Sequence, residues 1–391
     1  MKPLKIALFT YSTKPRGGVV HTLNLAENLA RLNHNVHIYS LSSGSEYFRH
    51  VEIPYTLIPC PAIEYESIDE KVESYIRIYT EYMSNLTNIY DIYHAEDCIS
   101  ANALLNLRER GLIKFYARTV HHIDDFTSNS LIECQLKSIL EPDYMITVSK
   151  FWDRELRTKY SLSPTVINNG VDFEKFDTEE DDHSKAEAKG SFSLGDSKVI
   201  LSVGGIEPRK NSITTLRAFN IAMSYFKTRG EKLVWLIGGG ETLFDYRAYR
   251  EEFFSELNKI GLELDNDVVV LGCVPEDSMK ILYNAADVFV FPSVKEGWGL
   301  VVHEAMAAGL PVIASDIEPM TEYLINGENS ILVAPMDFEA LSLQIIKVLE
   351  SPGLRSKLVA GGKKTAQKCS WNRAALKHVE FYDGILSALS S

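Results

Sequence analysis

The sequence has little of three features that would assign it to a particular class of protein. No apolar run approaches the ~20 residues that a membrane-spanning helix requires, and the first residues lack the pattern of a secretory signal. The five cysteines show neither a metal-ligand spacing nor a paired framework. Positive charge is in deficit, because the formal net charge is −13, which argues against general binding of nucleic acid or anionic membranes. We therefore expect a cytoplasmic protein with reduced thiols, no nucleic-acid partner and at most peripheral membrane contact.

The length and the apolar pattern of the chain predict two α/β domains. With 391 residues, 45% of them hydrophobic and 24% charged, the chain can form two separate cores. Short apolar strands alternate with amphipathic segments, and this pattern is typical of a mainly parallel, doubly wound sheet. The alternation stops at an acidic stretch and then restarts. We place the domains at 1–176 and 198–375, with 177–197 as an acidic linker or surface loop.

One segment of the second domain combines two carboxylates with a glycine-rich loop. Glu296 lies in a loop after an apolar strand, and Glu304 lies on the helix that the loop opens. Gly297 and Gly299 allow a ligand to approach the backbone closely. The amides near Leu300 and Val301 suit an anionic group because the start of a helix is electropositive. The segment therefore predicts a phosphate site with a carboxylate on each side.

This segment also resembles the signature of a known family. The run Phe291-Pro292-Ser293, the run Glu296–Leu300 and the run Glu304–Ser315 together resemble the retaining family 4 (group 1) glycosyltransferases, which use sugar nucleotides and have the GT-B fold. The resemblance implies two Rossmann-like domains facing a cleft, the first for the acceptor and the second for the nucleotide-sugar donor. It also implies that the last helix, within Trp371–Leu389, crosses back to the first domain, so that about 376–391 belong there.

Two motifs of the first domain match elements of the family. Gly17 and Gly18 form a strand-to-helix turn that leaves the backbone open to a phosphate or sugar, and the resemblance gives this turn a place facing the donor diphosphate and the acceptor. His121 matches a Thr-x-His element beside the donor sugar, which implies that it positions or polarises the substrate. The role of the neighbouring His122 stays open, because consecutive residues of extended backbone point to opposite faces.

The second domain offers cations and further glycine turns. Arg209 and Lys210 follow its first strand and can neutralise a diphosphate through charge-assisted hydrogen bonds. The resemblance implies this phosphate role, although Gly205 occupies the position where many members carry arginine, so Arg209 has to supply the guanidinium from a shifted position. Two loops resemble the family's ribose- and base-contacting loops, and they contain Gly238-Gly239-Gly240-Glu241 and Gly272-Cys273-Val274.

We predict no metal and no other cofactor for the reaction. The sequence Asp265-Asn266-Asp267 fits a metal-binding pattern, but it precedes its strand and lies at the edge opposite the expected site, so we interpret it as a solvated turn. The helix start and the two cations can replace the charge of a metal. By resemblance, Glu296 holds hydroxyls of the donor sugar and Glu304 accepts hydrogen bonds from the ribose. Glu296 as a base or nucleophile is the less favoured alternative.

The implied reaction is transfer of a hexose-type sugar from a nucleotide-sugar donor to an acceptor, with retention of the anomeric configuration. The acceptor is open between a glycan, a small molecule and a lipid-linked compound. Two alternatives remain: a sugar-nucleotide 2-epimerase of the same fold, and a catalytically silent nucleotide-binding protein. A dehydrogenase is disfavoured, because the turn after the first strand lacks the third glycine of the dinucleotide fingerprint.

Overall fold

A computed structural model describes residues 2–61, 65–86, 89–177, 182–239 and 246–390. The chain divides into two compact units, one made of Met1–Gly170 with Trp371–Ser391 and one made of Val171–Ser370. Each unit has its own parallel sheet and its own apolar core. Both sheets are doubly wound, as the alternating pattern predicted.

The described part of the first unit has a seven-stranded sheet in the order β3-β2-β1-β4-β5-β6-β7. All pairings are parallel. The strands are β1 Lys5–Thr10, β2 Asn35–Ser42, β3 Tyr55–Pro59, β4 Ile92–Ala95, β5 Ala117–Val120, β6 Tyr144–Thr147 and β7 Thr165–Val166. The helices are α1 Gly17–Arg31, α2 Ile68–Ser84, α3 Cys98–Glu109, α4 Asn129–Leu140 and α5 Lys150–Tyr160. Because β1 and β4 are neighbours while β2 continues on the other side of β1, the strand order reverses between β1 and β4, which is where ligands bind in such sheets.

The second unit has a six-stranded sheet among its described residues, in the order β10-β9-β8-β11-β12-β13. Its strands are β8 Lys198–Val203, β9 Leu233–Gly238, β10 Val268–Gly272, β11 Val288–Phe291, β12 Val312–Ser315 and β13 Ile331–Val333. The helices are α6 Phe173–Phe176, α7 Asp182–Ser191, α8 Ser212–Lys227, α9 Arg247–Lys259, α10 Glu276–Ala285, α11 Leu300–Ala307, α12 Phe338–Glu350 and α13 Pro352–Lys368, with 3₁₀ turns at Pro208–Lys210 and Met320–Glu322. Here the order reverses between β8 and β11.

The last helix, α14 Trp371–Ser390, belongs to the first unit, as predicted. Its apolar face joins the core that α1 shares with the first strands, through Ala375, Val379, Tyr382 and Ile385. Burial of these side chains fixes the return of the chain, because each of them has at most 3% of its surface exposed. Among the helices described, none is long and apolar enough to cross a membrane.

The segment predicted as an acidic linker or surface loop is partly helical. Residues 178–181, which hold most of its acidic run, lie outside the described residues. The rest of the segment contains α7, and it contributes Ala188 and Leu194 to the core of the second unit. Lys189 also bonds Asp287, with 3.0 Å between Nζ and Oδ2. The observed division at Gly170 and Ser370 therefore gives this segment to the second unit, because its few apolar residues are buried against α10 and the sheet.

Candidate functional site

In the second unit, the loops after the two central strands bring three predicted residues together. Arg209 and Lys210 lie in the 3₁₀ turn that follows β8, and Glu296 lies in the loop that follows β11. The carboxylate oxygen Oε1 of Glu296 accepts hydrogen bonds from Arg209 Nη1 at 2.9 Å and from Lys210 Nζ at 2.7 Å. The sequence predicted all three residues for this site, and the structure adds that the carboxylate is bonded directly to both cations.

The charges of this group are strongly coupled because the group is buried. Only 6% of Glu296 is exposed. Burial alone would raise the pKa of Glu296, but the ion pairs with Arg209 and Lys210 outweigh it and lower the pKa to about 2. Burial lowers the pKa of Lys210, against the attraction of Glu296. Glu296 is therefore an ionised carboxylate at physiological pH and a weak proton acceptor.

A glycine after β8 and a glycine after β9 allow the close packing around the Lys210 side chain. Gly204 has a φ of +145°, and a Cβ at this position would lie 2.9 Å from Lys210 Cε. A Cβ at Gly239 would lie 2.3 Å from the carbonyl carbon of Gly204, so the backbone after β9 also needs glycine there. The aliphatic part of Lys210 thus crosses the Gly204 backbone, and its ammonium lies 4.3 Å from the centroid of the Phe291 ring. These contacts with Gly204 and Phe291 hold the Lys210 side chain in place, although position 205 carries glycine and not arginine.

The start of α11 follows the Glu296 loop and is held in place by aromatic side chains. Gly299 has a φ of +88°, and a Cβ there would lie 2.8 Å from the hydroxyl of Tyr323. That hydroxyl donates to the carbonyl of Trp298 at 2.8 Å, and the Trp298 ring stacks on His303 with 5.4 Å between centroids. The first-turn amides of Leu300 and Val301 have no acceptor within the helix, since the first four N–H groups of any helix lack one. An anion placed at this helix start would meet amide donors.

Glu304 lies on α11 and is held by a tyrosine of α10. The Tyr283 hydroxyl donates to Glu304 Oε2 at 2.8 Å. Burial raises the pKa of Glu304 to about 6, against the lowering effect of this hydrogen bond. The two glutamates that the sequence paired therefore differ in their electrostatics: Glu296 is permanently ionised, and Glu304 changes charge near neutral pH.

The remaining predicted loops of the second unit lie at the carboxyl ends of β9 and β10. Gly239 N–H donates to the carbonyl of Gly272 at 2.7 Å, which ties the two loops together. Gly272 has a φ of +67°, Cys273 is exposed, and Val274 packs against the core. Gly240 and Glu241 lie outside the described residues. The sequence Asp265–Asp267 forms a turn before β10, in which Asp267 Oδ2 accepts from the backbone of Glu263 at 2.9 Å.

In the first unit, the predicted residues lie at the carboxyl ends of β1 and β5. Gly17 begins α1, and a Cβ at Gly18 would lie 3.8 Å from the Nε2 atom of His121. The structure therefore brings the glycine turn and His121 together. His122 bonds Asp124 instead, with 3.1 Å between Nε2 and Oδ1, so the two histidines have separate partners.

Sequence reasoning missed two buried residues next to His121. Glu96 follows β4, and its Oε2 lies 3.1 Å from His121 Nε2 and 3.5 Å from His21 Nε2. Burial raises the pKa of Glu96 to about 7 and holds the pKa of His121 well below its usual range. The ligand atoms of His21, Glu96 and His121 all lie within 4.8 Å of one another, so this group could hold a metal ion. The sequence did contain one indication of this group. His21 is a titratable residue on the apolar face of α1, four positions before Leu25.

The chain has two doubly wound domains in tandem. In each domain, the candidate functional residues lie in loops near the point where the strand order of the sheet reverses. This architecture is that of the GT-B class of proteins. Two solved structures with this fold resemble the chain over nearly its whole length. Sucrose-phosphate synthase from Thermosynechococcus elongatus superimposes with a TM-score of 0.80 at 22% identity, over 98% of this chain and 100% of that one. Anabaena HepE, in complex with UDP and glucose, has a TM-score of 0.76 at 18% identity, over 99% of this chain and 100% of that one.

Sequence comparisons identify the family. The family model described as glycosyl transferases group 1 matches residues 184–365, and the model described as glycosyltransferase family 4 matches residues 15–175. The uncharacterized glycosyltransferase MJ1607 of Methanocaldococcus jannaschii is 28% identical over 97% of this chain and 98% of its own length. The chain belongs to the family 4, group 1 glycosyltransferases and has their GT-B fold, so the family predicted from the Phe291–Ser315 region is confirmed. It is a glycosyltransferase.

Proposed function

We propose that the protein transfers a hexose-type sugar from a nucleotide-sugar donor to an acceptor, with retention of configuration and without a metal. The observation that carries this proposal is the buried group of Arg209, Lys210 and Glu296, which the α11 start follows. Departure of a nucleoside diphosphate requires positive charge and hydrogen-bond donors at the leaving group. This group and the helix start supply both within one unit of the chain.

In the proposed mechanism the protein stabilises the leaving diphosphate. Lys210 and Arg209 donate charge-assisted hydrogen bonds to phosphate oxygens, and the amides of Leu300 and Val301 donate hydrogen bonds to phosphate oxygens at the electropositive start of α11. Before the donor binds, Glu296 keeps Arg209 and Lys210 oriented through its hydrogen bonds. When the donor is bound, its phosphate and Glu296 both accept hydrogen bonds from these two cations. Such preorganised charge stabilises the transition state more than the ground state, because the diphosphate gains charge as the glycosidic bond breaks.

Glu296 acts in this proposal as a hydrogen-bond acceptor for donor sugar hydroxyls. Its low pKa supports this role over that of a general base, since an efficient base has a pKa near the operating pH. Glu304 accepts hydrogen bonds from the ribose. The loop that contains Gly272, Cys273 and Val274 lines the nucleotide site. In the first unit, Gly17, Gly18 and His121 are the residues proposed to position sugar and acceptor.

The donor is proposed to be a nucleotide hexose because of the reaction class and because the HepE structure contains UDP and glucose. A thermal-shift screen against UDP-, GDP- and ADP-sugars tests this part, since a ligand at ~100 times its Kd stabilises a protein by ~2.7 kcal/mol. One class of donor is expected to raise the melting temperature. Proton NMR of the product formed with that donor then reports its anomeric configuration, and a product of inverted configuration would refute the retaining mechanism. Release of free sugar in the absence of any acceptor, with no transfer when acceptors are supplied, would favour the epimerase.

Transfer activity is expected to survive chelation of metals. The charge of the leaving diphosphate is met by Arg209, Lys210 and the α11 start, so removal of divalent ions leaves the proposed stabilisation in place. The measurement is the initial rate of transfer before and after dialysis against EDTA, with the chelator removed by gel filtration. A rate that falls more than about tenfold, and that Mg²⁺ or Mn²⁺ restores, would contradict the metal-independent mechanism.

The Michaelis constant for the donor is expected to rise as the pH falls through about 6. Burial gives Glu304 a pKa of about 6, so the carboxylate is ionised above this value and protonated below it. Hydrogen bonds to a charged acceptor are stronger than those to a neutral one by about 1 kcal/mol, which corresponds to roughly a fivefold change in KM. Donor KM measured between pH 5 and 8 checks this.

The variant Glu304→Gln provides the control for the pH prediction. It is isosteric and cannot ionise, so we expect a raised donor KM that no longer changes near pH 6, with kcat largely retained. A pH dependence of KM that persists in Glu304→Gln would show that another group titrates. A loss confined to kcat would contradict the ribose role of Glu304.

A further inference from the structure

The group formed by His21, Glu96 and His121 lies wholly within the first unit and has unsatisfied polar atoms. His21 and Glu96 are almost completely buried, with 1% and 2% of their surfaces exposed. Neither His21 Nε2 nor Glu96 Oε1 has a hydrogen-bond partner within the part of the chain that the structure describes. Buried polar atoms without a partner are unfavourable, and a group of them calls for a ligand that satisfies them.

The orientation of His21 directs a lone pair into this group. Asn169 Oδ1 lies 2.9 Å from His21 Nδ1. With the amide oxygen of Asn169 facing it, Nδ1 carries the proton, and Nε2 presents its lone pair toward Glu96 Oε2 at 3.5 Å. When Glu96 is ionised, two acceptors therefore face each other across this distance. A cation between them removes the repulsion, and a hydrogen bond from the second nitrogen of a histidine is the usual way to orient a metal ligand.

We propose that His21, Glu96 and His121 bind one divalent transition-metal ion. Imidazole and carboxylate ligands suit Zn²⁺, Co²⁺, Ni²⁺ and Fe²⁺, and Mg²⁺ and Ca²⁺ prefer oxygen ligands alone. Metal–ligand bonds of about 2.0–2.1 Å place tetrahedral ligand atoms about 3.3 Å apart. The contacts of Glu96 Oε2 with the two histidines, 3.1 and 3.5 Å, are already close to this separation. No pair in the group exceeds 4.8 Å, so side-chain shifts of about 1.5 Å or less complete the site.

Spacing in the sequence could not reveal this site, because its ligands come from three separate segments. His21 lies on α1, Glu96 follows β4 and His121 follows β5, and β1, β4 and β5 are adjacent in the sheet. The Trp371 ring of α14 packs edge-on against His21, with 5.4 Å between centroids. The returning helix thereby covers one side of the site, and the side of His121, which is 14% exposed, gives access.

The experiment is direct metal binding to the untagged full chain. Protein stripped with EDTA is titrated with Co²⁺ and Zn²⁺, and one equivalent is expected to bind. Zinc absorption-edge spectroscopy of the wild-type protein is expected to show nitrogen and oxygen ligands only. Sulfur in the coordination shell, or the absence of binding, would overturn the proposal, because the exposed Cys273 thiol is the alternative ligand.

Variants locate the ion. His21→Gln and Glu96→Gln are each expected to weaken Co²⁺ binding by more than about 100-fold, and Asn169→Ala by about 10–100-fold, as for a residue that orients a ligand. His37→Gln, which changes a histidine of β2 that bonds Thr56 at 2.8 Å, serves as the matched control and is expected to bind as the wild type does. Circular dichroism checks that each variant is folded. Unchanged affinity in folded His21→Gln and Glu96→Gln would refute the site.

Occupancy has a consequence that rests on the proposed function. The ion takes the Nε2 atom of His121, so Zn²⁺ is expected to inhibit transfer and EDTA to relieve the inhibition. The Co²⁺ titration measures metal binding and not glycosyl transfer, so its result tests the metal site independently of the proposed reaction. Zn²⁺ binding at this group without inhibition would leave the metal site intact and would instead contradict the role of His121 in substrate positioning.

Discussion

Replacing Glu296 by glutamine is expected to lower kcat for glycosyl transfer by about 10²–10³-fold, the range found when one preorganised electrostatic group is removed. The carboxylate accepts hydrogen bonds from Arg209 at 2.9 Å and Lys210 at 2.7 Å. Glutamine keeps the shape but not the charge, so the two cations repel each other and lose their common orientation. Donor KM is expected to change much less, and initial rates over a range of donor concentrations separate the two constants.

A surface carboxylate provides the control for this prediction. Glu256 of α9 forms an ion pair with Arg217 of α8 at 2.9 Å, so Glu256→Gln removes the same charge away from the site. Its kcat and KM are expected to equal those of the wild type. If the folded Glu296→Gln variant instead showed its main change in donor KM, the proposed roles of Glu296 and Glu304 would have to be exchanged.

Replacing Lys210 by methionine is expected to lower kcat/KM by about 10²–10³-fold. Methionine fills the space of the aliphatic chain against Gly204 and Phe291, so the substitution removes the ammonium with little change in packing. Arg209 still neutralises Glu296, and the leaving diphosphate loses one charge-assisted hydrogen bond. The measurement is kcat/KM at a fixed acceptor concentration, with the melting temperature as a check on folding.

Lys232→Met is the matched control for Lys210→Met. Lys232 is exposed and donates to Asn266 Oδ1 at 2.7 Å near the turn that precedes β10. The same charge is removed at a distance from the carboxyl ends of the strands, and kcat/KM is expected to be unchanged. If both variants lost activity equally, the effect would be one of net charge, and the assignment of Lys210 to the diphosphate would be wrong.

The sequence was sufficient for the fold because the strands are buried apolar runs with helices between them. The apolar runs of the sequence coincide with the observed strands except at β7, because Thr165–Val166 is two residues long and has no buried residue. The segment 177–197, predicted as an acidic linker or surface loop, contains α7, whose composition is polar and whose burial depends on a few side chains such as Ala188. Helix α7 shows that packing against a neighbour can decide the structure of a weakly apolar segment.

The residues of the candidate site were predictable where they share one segment. Glu296, Gly299 and Glu304 belong to one loop and helix within the segment that the group 1 family model matches, so their resemblance could be recognised directly. The direct bonds from Arg209 and Lys210 to Glu296 join residues that are 87 and 86 positions apart, respectively, and the sequence does not encode such a contact locally. No motif in the sequence identified Glu96, because only the adjacency of β4 and β5 in the sheet places it beside His121.

A binding cycle shows whether Lys210 recognises the diphosphate of the donor. Calorimetry would compare the nucleoside diphosphate with the monophosphate of the same base, on the wild-type protein and on Lys210→Met. We predict that the wild type binds the diphosphate at least about tenfold more tightly, since a charge-assisted hydrogen bond contributes about 1.5–3 kcal/mol, and that the variant loses most of this preference. An equal preference in both proteins would contradict the account.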